Sequence, residues 1–263
     1  MATVVLGLSA LAPAHGQGAR AAVPIDVSGA SRIEYDETTG ILAAEGAPVV
    51  VTRGRTEVRA PRIRYDVRAR LIVGTGGVTV TDPELRLRAA TVQFRLDDEH
   101  LRAQGDVVVG GAGGVEAVTL AAPEVAGSLQ TRQFVATGGV TLTRGEWTVT
   151  GRRADYDDRQ RLAVVTGEPT ARFREATMAA RTIHLWLAEE RARGEGDVRI
   201  RRGDLVGQAP RADISAKDNR ATLSGGARVE RGPDRVTADV IEMDLDGHRV
   251  TARGGSRLVI TPP

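Results

Sequence analysis

The sequence predicts an all-β protein: a folded-over antiparallel β-jelly-roll built from about eight repeats of 29 residues. Three observations lead there. A marker glycine returns at a nearly fixed interval, apolar and polar residues alternate with period two on both sides of it, and that alternation slips by one at a fixed small residue.

The marker glycines are Gly46, Gly76, Gly105, Gly138, Gly167, Gly196, Gly225 and Gly254, spaced 30, 29, 33, 29, 29, 29 and 29 residues apart. Glycine is common in this chain, with 31 copies, so the neighbouring columns carry the argument. Sixteen positions before seven of the markers stand Ala60, Ala89, Ala122, Gly151, Ala180, Ala209 and Ala238, all small. Eleven positions before all eight stand Tyr35, Tyr65, Phe94, Gly127, Tyr156, Leu185, Ile214 and Met243, large in every case but Gly127. The one long spacing contains the insertion Gly110 to Gly114, which reads as an enlarged loop.

Pairs such as Leu101/Ala103, Phe134/Ala136 and Ala221/Leu223 lead into the glycine, and Val78/Val80, Val107/Val109 and Val198/Ile200 lead away from it. One face of each strand is apolar and the other polar. Leu85/Leu87 and Trp147/Val149 continue the alternation until the small column, after which it resumes one place late as Val92/Phe94 and Ala154/Tyr156. A slip of one turns side chains to the wrong face unless the strand bends there. The small residue, followed by Pro61, Pro123 or Pro210 in three repeats, is therefore a corner, and the marker glycine serves the matching bend in the paired strand. Short polar turns (36 to 40, 157 to 161, 217 to 220, 246 to 249) punctuate one end of the strands. Asp82-Pro83, Arg144-Gly145, Arg202-Gly203 and Gly232-Pro233 punctuate the other. The stretch Ile183 to Arg193 has local helical character, but its columns place it in strand.

Composition narrows the function. The chain has 263 residues and no cysteine, which excludes a disulfide scaffold, a thiolate metal site and a cysteine nucleophile. Its four histidines (His15, His100, His184, His248) are scattered, so most metal and acid/base chemistry lacks its usual residues. No catalytic residue, no metal ligand set and no cofactor is assigned, and an enzyme is not expected. Lys+Arg number 36 against 34 Asp+Glu, interleaved along the chain rather than clustered, with eight aromatics in all; nucleic acid is not an expected partner. Residues 1 to 22 read as a leader: Val4 to Ala14 is an apolar run ending in Ala12-Pro13-Ala14, the pattern of an export signal although no Lys or Arg precedes it. About 11 apolar residues are too few for a membrane span, which needs roughly 20.

Creased strands with one apolar face bury it by folding the sheet over on itself, leaving a thin seam lined by small aliphatic residues. Space in such a dry interior suits an alkyl chain. Two alternatives use the same columns. A parallel β-helix, about 38 Å long against about 70 Å for the antiparallel meander, would suit a carbohydrate-active enzyme or adhesin. A transmembrane β-barrel lacks the aromatics for two girdles.

The repeat G-x-V-x-V, turn, apolar-x-apolar-x-A-(P/D)-x-(I/V/A)-x-(Y/F), turn, apolar-x-A-x-G resembles the OstA-like repeat of the LptA family, shared with LptC and the N-terminal domain of LptD. GGVTVTDPELRLRAATVQF at 76 to 94 and GGARVERGPDRVTADVIEM at 225 to 243 are clear instances, and the resemblance covers residues 30 to 260. It implies a non-enzymatic periplasmic carrier in lipopolysaccharide transport to the outer membrane. Its apolar groove would take lipid A acyl chains, and its partners would be lipopolysaccharide and the homologous β-jelly-roll proteins of the inner- and outer-membrane complexes. Residues 23 to 263 then form one OstA-like jelly-roll, long enough for two modules end to end.

The expected groove lining is Ile63, Tyr65, Val92, Phe94, Ala154, Tyr156, Ile183, Leu185, Ile241 and Met243. The same residues would equally line a closed core. Leu258-Val259-Ile260 is an expected interaction edge, a terminal strand whose unpaired backbone invites head-to-tail self-association or docking onto homologous folds. The column Asp36, Asp66, Asp157 and Asp244 would be an acidic ladder in a β-helix, but aspartates that open turns are the preferred reading. His100 and His248 are expected as turn residues, and Trp147 and Trp186 as packing residues.

Overall fold

Each repeat of the sequence becomes two strands, and every strand pairs antiparallel with its sequence neighbour. The computed structural model describes residues 23–111, 118–246 and 249–261. The leader expected at 1 to 22, His248 and the inserted loop beyond Gly111 lie outside these residues. The strands are β1 (Ile25–Asp36), β2 (Ile41–Arg53), β3 (Thr56–Asp66), β4 (Leu71–Asp82), β5 (Leu85–Arg95), β6 (His100–Gly111), β7 (Thr119–Ser128), β8 (Gln133–Arg144) and β9 (Trp147–Asp157). They continue as β10 (Leu162–Thr166), β11 (Thr170–Phe173), β12 (Ala176–Ala179), β13 (Thr182–Trp186), β14 (Arg191–Arg202), β15 (Leu205–Ser215), β16 (Arg220–Arg231), β17 (Asp234–Asp244), β18 (Val250–Arg253) and β19 (Arg257–Val259).

β10 and β11 both pair with β9, and β12 and β13 both pair with β14, so each couple is one creased strand broken at its crease. β18 and β19 likewise share β17. Counted this way the sheet is a meander of sixteen creased strands, about 75 Å long at the usual strand spacing. The antiparallel register throughout overturns the parallel β-helix alternative. Ile183 to Arg193 is strand, turn and strand, as its columns require.

The creases fall where the small column and the marker glycine sit. Between β4 and β5 the register jumps from Thr75↔Thr91 to Val78↔Ala89, so Gly76 and Gly77 oppose the single residue Ala90. Both glycines have positive φ (89° and 96°), which side chains disfavour and glycine does not. The same two-residue bulge recurs at Gly105-Asp106, Gly138-Gly139, Gly167-Glu168, Gly196-Asp197 and Gly225-Gly226, all at positive φ. In each case the first glycine lies against the residue just after the small column on a preceding strand: Pro61, Ala90, Pro123, Arg152, Arg181 and Pro210 in turn. At five of these six bulges the sequence follows its partner. A proline corner meets Gly-Gly, whereas Arg152 and Arg181 meet Gly-Glu and Gly-Asp and form ion pairs with Glu168 and Asp197 at 2.8 and 2.5 Å. Gly46 is the exception: its φ is not positive, and three residues including the cis Ala47-Pro48 bond fill the bulge.

The creases divide the sheet into two leaves. One leaf ends in two-residue turns such as Gly54-Arg55, Gly145-Glu146 and Gly203-Asp204, where the leading glycine carries the positive φ of a type II′ hairpin. The other ends in wide turns of four residues such as 67–70, 129–132 and 158–161. The leaves face one another. A Cβ on Gly207 of the tight-turn leaf would stand 2.8 Å from Leu223 and 3.1 Å from Met243, both on the wide-turn leaf. Glycine is required there because the opposing leaf fills the space. The seam holds a continuous aliphatic core that includes Ile72, Leu87, Leu101, Leu142, Ile183, Ile200 and Leu223, each 2% exposed or less. Burial of that kind contributes about 1.5–3 kcal/mol per side chain.

Outer faces carry the interleaved charges as cross-strand pairs, among them Arg102–Glu124 at 2.7 Å and Arg193–Asp213 at 2.9 Å. Among the described residues the first strand and the last do not pair with each other, so the sheet is open at both ends and its apolar face points inward. Gly207→Val should destabilise the fold by about 1–3 kcal/mol through overpacking. Urea unfolding checks this, since an unopposed glycine on an open sheet would accept valine with little loss.

Candidate functional site: an arginine-rimmed cleft at the mouth of the fold

All ten residues expected to line a groove lie on the inner face of one leaf, the wide-turn leaf. Ile63, Val92, Phe94, Ala154, Ile183, Leu185, Ile241 and Met243 are 4% exposed or less. Tyr65 and Tyr156 are half-buried at the open edge, where the wide turns begin. The structure therefore brings the ten into one wall, but it packs eight of them against the opposite leaf. Space appears at the mouth, where the leaf ends part opposite the crease.

The larger cleft there has a volume of about 620 Å³. Its floor is apolar: Leu85, Val109, Val118 and Leu120 come from the tight-turn leaf and Phe134 from the wide-turn leaf. Of the expected lining residues only Tyr156 borders it. Phe134 reaches it because the large-residue column is interrupted at Gly127, and the Phe134 ring lies over the space a Gly127 side chain would need. The rim is charged, with Arg132, Arg144, Arg159 and Arg161 against Glu84 and Asp158. A smaller cleft of about 230 Å³ continues along the mouth past Arg144, between Trp147, Phe173 and Arg174 on one leaf and Glu190 and Ala216 on the other.

Wide-turn chemistry positions these side chains. In the first wide turn the Gly40 N–H donates to the Asp36 carbonyl at 2.8 Å and the Asp36 carboxylate accepts from Thr38 N–H at 2.8 Å. Asp66 accepts from Ala69 N–H at 2.8 Å and Asp157 from Gln160 N–H at 2.9 Å. The aspartate column is thus spent on turn closure, as expected, at Asp36, Asp66 and Asp157. The Thr39 hydroxyl and backbone hold the Asp36 carboxyl below its ordinary range, and the Gln160 N–H does the same for Asp157.

The residue after that column opens each wide turn, and its N–H donates to the last residue of the preceding turn: Leu96 to Arg70, Asp158 to Arg132, Leu187 to Arg161 and Leu245 to Asn219. Those positions close the seam. Leu96, Leu187 and Leu245 are 1%, 2% and 7% exposed. At 158 the repeat places an aspartate in this apolar column, and the cleft lies there.

Asp158 is held on three sides. Arg132 Nε donates to it at 2.8 Å, the Tyr156 hydroxyl at 2.6 Å and Arg161 Nη1 at 3.0 Å. Burial by itself would raise its pKa, but the bonds from Tyr156 and Arg132 hold it below the usual carboxylate range. Burial, with Asp158 alongside, pushes the Tyr156 phenol up, so it stays a donor. Arg132 also reaches across the mouth to Glu84 at 2.5 Å. Near the start of the stack, Arg53 spans the mouth in the same sense, donating to the Leu96 carbonyl at 2.9 Å. Sequence reading missed the Arg132–Asp158 cluster. Its signal was a column two places beyond the large one, in which, after Glu37 in the first repeat, Asp158 alone interrupts Val67, Leu96, Leu129, Leu187, Ala216 and Leu245.

The remaining singled-out residues are structural. Trp147 packs on Phe173 with ring centroids 4.8 Å apart, and Trp186 stacks on His184 on the outer face with Arg191 4.6 Å above it. His100 opens β6, its N–H donating to Asp98 at 3.3 Å.

Because the folded state lowers the Asp158 pKa, its clasp stabilises the fold above the unfolded value of about 3.9 and that contribution disappears as pH falls through the lower folded value. Asp158→Asn should cost about 1 kcal/mol at pH 7, after discounting for partial solvent exposure. Urea melts at pH 7 and pH 3 check it: the difference from the parent chain narrows at the lower pH.

Part of the chain is similar to known proteins. Residues 180–249, spanning β13 to β17, match the family described as LptA/(LptD N-terminal domain) LPS transport protein. No curated protein matches the chain. Among solved structures, it is similar to the crystal structure of LptH, the LptA homologous periplasmic component of the conserved lipopolysaccharide transport device from Pseudomonas aeruginosa. That alignment has 15% identity, covers 55% of this chain and 95% of that one, and has a TM-score of 0.27. The sequence match is confined to residues 180–249, so it is this segment of the chain that is similar to that transport family.

Proposed function

We propose that this protein is a periplasmic carrier in lipopolysaccharide transport, which holds an acyl chain between its two leaves and the anionic headgroup at the arginine rim. The observation that carries this reading is the cleft itself. Its apolar floor excludes a purely polar ligand, and among the described residues four arginines against two carboxylates favour an anion over a neutral headgroup. Chains longer than the cleft would enter by parting the leaves along the mouth, past Tyr156 toward Phe94 and Ile183. Small residues such as Ala103, Ala136, Ala154 and Ala163 keep that seam thin, so opening it disrupts less contact area than a Leu/Phe core would. The similarity of residues 180–249 to a family of LPS transport proteins supports the same cargo.

The ends of the stack support assembly. Among the described residues, seven of the nine exposed large hydrophobics lie there: Val23, Ile33 and Tyr35 at the first edge, and Val250, Leu258, Val259 and Ile260 at the last. Leu258 and Ile260 are 60% and 62% exposed, and β19 has a strand on one side only. Edge-to-edge addition of a second copy or a homologous jelly-roll would cover them and continue the seam, so that modules form a bridge. Sixteen strands suit two modules already joined in one chain.

A photoreactive phenylalanine at Phe134 should crosslink to lipopolysaccharide, and Ile183→Lys should abolish the crosslink. Crosslinking only from outward arginines would contradict a groove. In sedimentation, association that rises with concentration should be lost in Leu258→Arg/Ile260→Arg, while a parent chain that stays monomeric at high concentration would contradict edge assembly.

A further inference from the structure

The two carboxylates at the cleft do different work. Asp158 is 14% exposed and takes hydrogen bonds from Arg132, Tyr156 and Arg161, so an incoming anion has no vacant face on it to replace. Glu84 is 67% exposed, sits on the two-residue turn Pro83-Glu84 of the opposite leaf, and pairs with Arg132 Nη1 at 2.5 Å. Asp158 thus fixes Arg132 within its own leaf, and the Glu84 pair is the one that crosses the mouth.

We propose that Glu84 is a resident substitute for the headgroup: it closes the mouth over Arg132 and gives up that guanidinium to a phosphate. The inference rests on the carrier reading and names what controls opening of the same cleft. A phosphate monoester carries more charge than a carboxylate and offers three acceptor oxygens, so it competes for the outward side of Arg132. A neutral headgroup cannot. Glu84 is followed directly by Leu85, which belongs to the cleft floor, so release of the turn at Glu84 uncovers apolar surface for the attached chain. Charge recognition and chain admission are coupled through one turn.

The test is a double-mutant cycle on the full chain, with didecanoyl phosphatidic acid and didecanoylglycerol as probes and Kd read by native mass spectrometry. The parent should prefer phosphatidic acid. Glu84→Gln should tighten phosphatidic acid roughly five-fold. Arg132→Gln should remove the preference, Arg132→Lys should retain part of it, and adding Glu84→Gln to Arg132→Gln should change nothing. An unchanged Kd in Glu84→Gln overturns the proposal, as does an equal gain in the Arg132→Gln background, which would make Glu84 a mere source of repulsion.

A structural readout stands beside it. The chain has no cysteine, so nitroxides at Arg86→Cys and Thr131→Cys, both exposed, report the separation of the leaves. The separation should widen in Glu84→Gln, and identical distances with and without that change overturn the latch. A parent that binds neither lipid removes the carrier reading and this inference with it. A parent that binds while Glu84→Gln behaves identically removes this inference alone.

Discussion

Everything in this structure depends on the crease. A strand that is apolar on one face can bury that face against its own continuation only if it turns sharply and keeps its hydrogen-bond ladder on either side. Two residues opposing one solve this, because the extra residue takes up the path difference at the bend and restores the inward phase beyond it. The geometry demands positive φ at both bulge positions. Glycine supplies the first from Gly76 to Gly225, and the second is glycine opposite a proline, Glu168 or Asp197 opposite an arginine, and Asp106 opposite Ala90. An exposed ion pair of that sort is worth little by itself. At Arg152 and Arg181 that clasp stands where the proline creases have a glycine pair, while opposite Ala90 the second position is Asp106.

The crease also explains where binding space arises. At the crease a small residue stands beside a buried valine, as in Ala60–Val49, Ala89–Val78, Ala122–Val107 and Gly151–Val140; farther out Leu, Phe and Tyr line the seam. Wide-turn residues such as Leu96 and Leu187 close the edge. At Asp158 the apolar closure is replaced by charge, and the edge opens into a cleft. A half-buried carboxylate is tolerable there because three donors satisfy it, and those donors are drawn from two wide turns and the Tyr156 ring position.

Much of this was legible in the sequence because the fold is periodic. The marker glycine, the small column and the one-residue slip identified the crease, and the large column identified an inner wall whose ten members do share one face. What stayed hidden was the relation between repeats that are not neighbours in the chain. The ladder places Glu84 and Arg132 on different hairpins, and only the twist and closure of the leaves bring their side chains together. Likewise the columns marked Phe94 and Ile183 as wall, yet could not tell a wall with space in front of it from one packed against Leu or Val on the other leaf.

By itself, then, the sequence determined an all-β chain, its crease positions and the inward-facing columns of its strands, because those follow from local steric and periodic rules acting within one hairpin. The tertiary structure decided which leaf residues oppose one another, where the mouth parts into a cleft and which arginine bridges it, because those depend on the cumulative twist of sixteen creased strands. No single repeat contains that quantity.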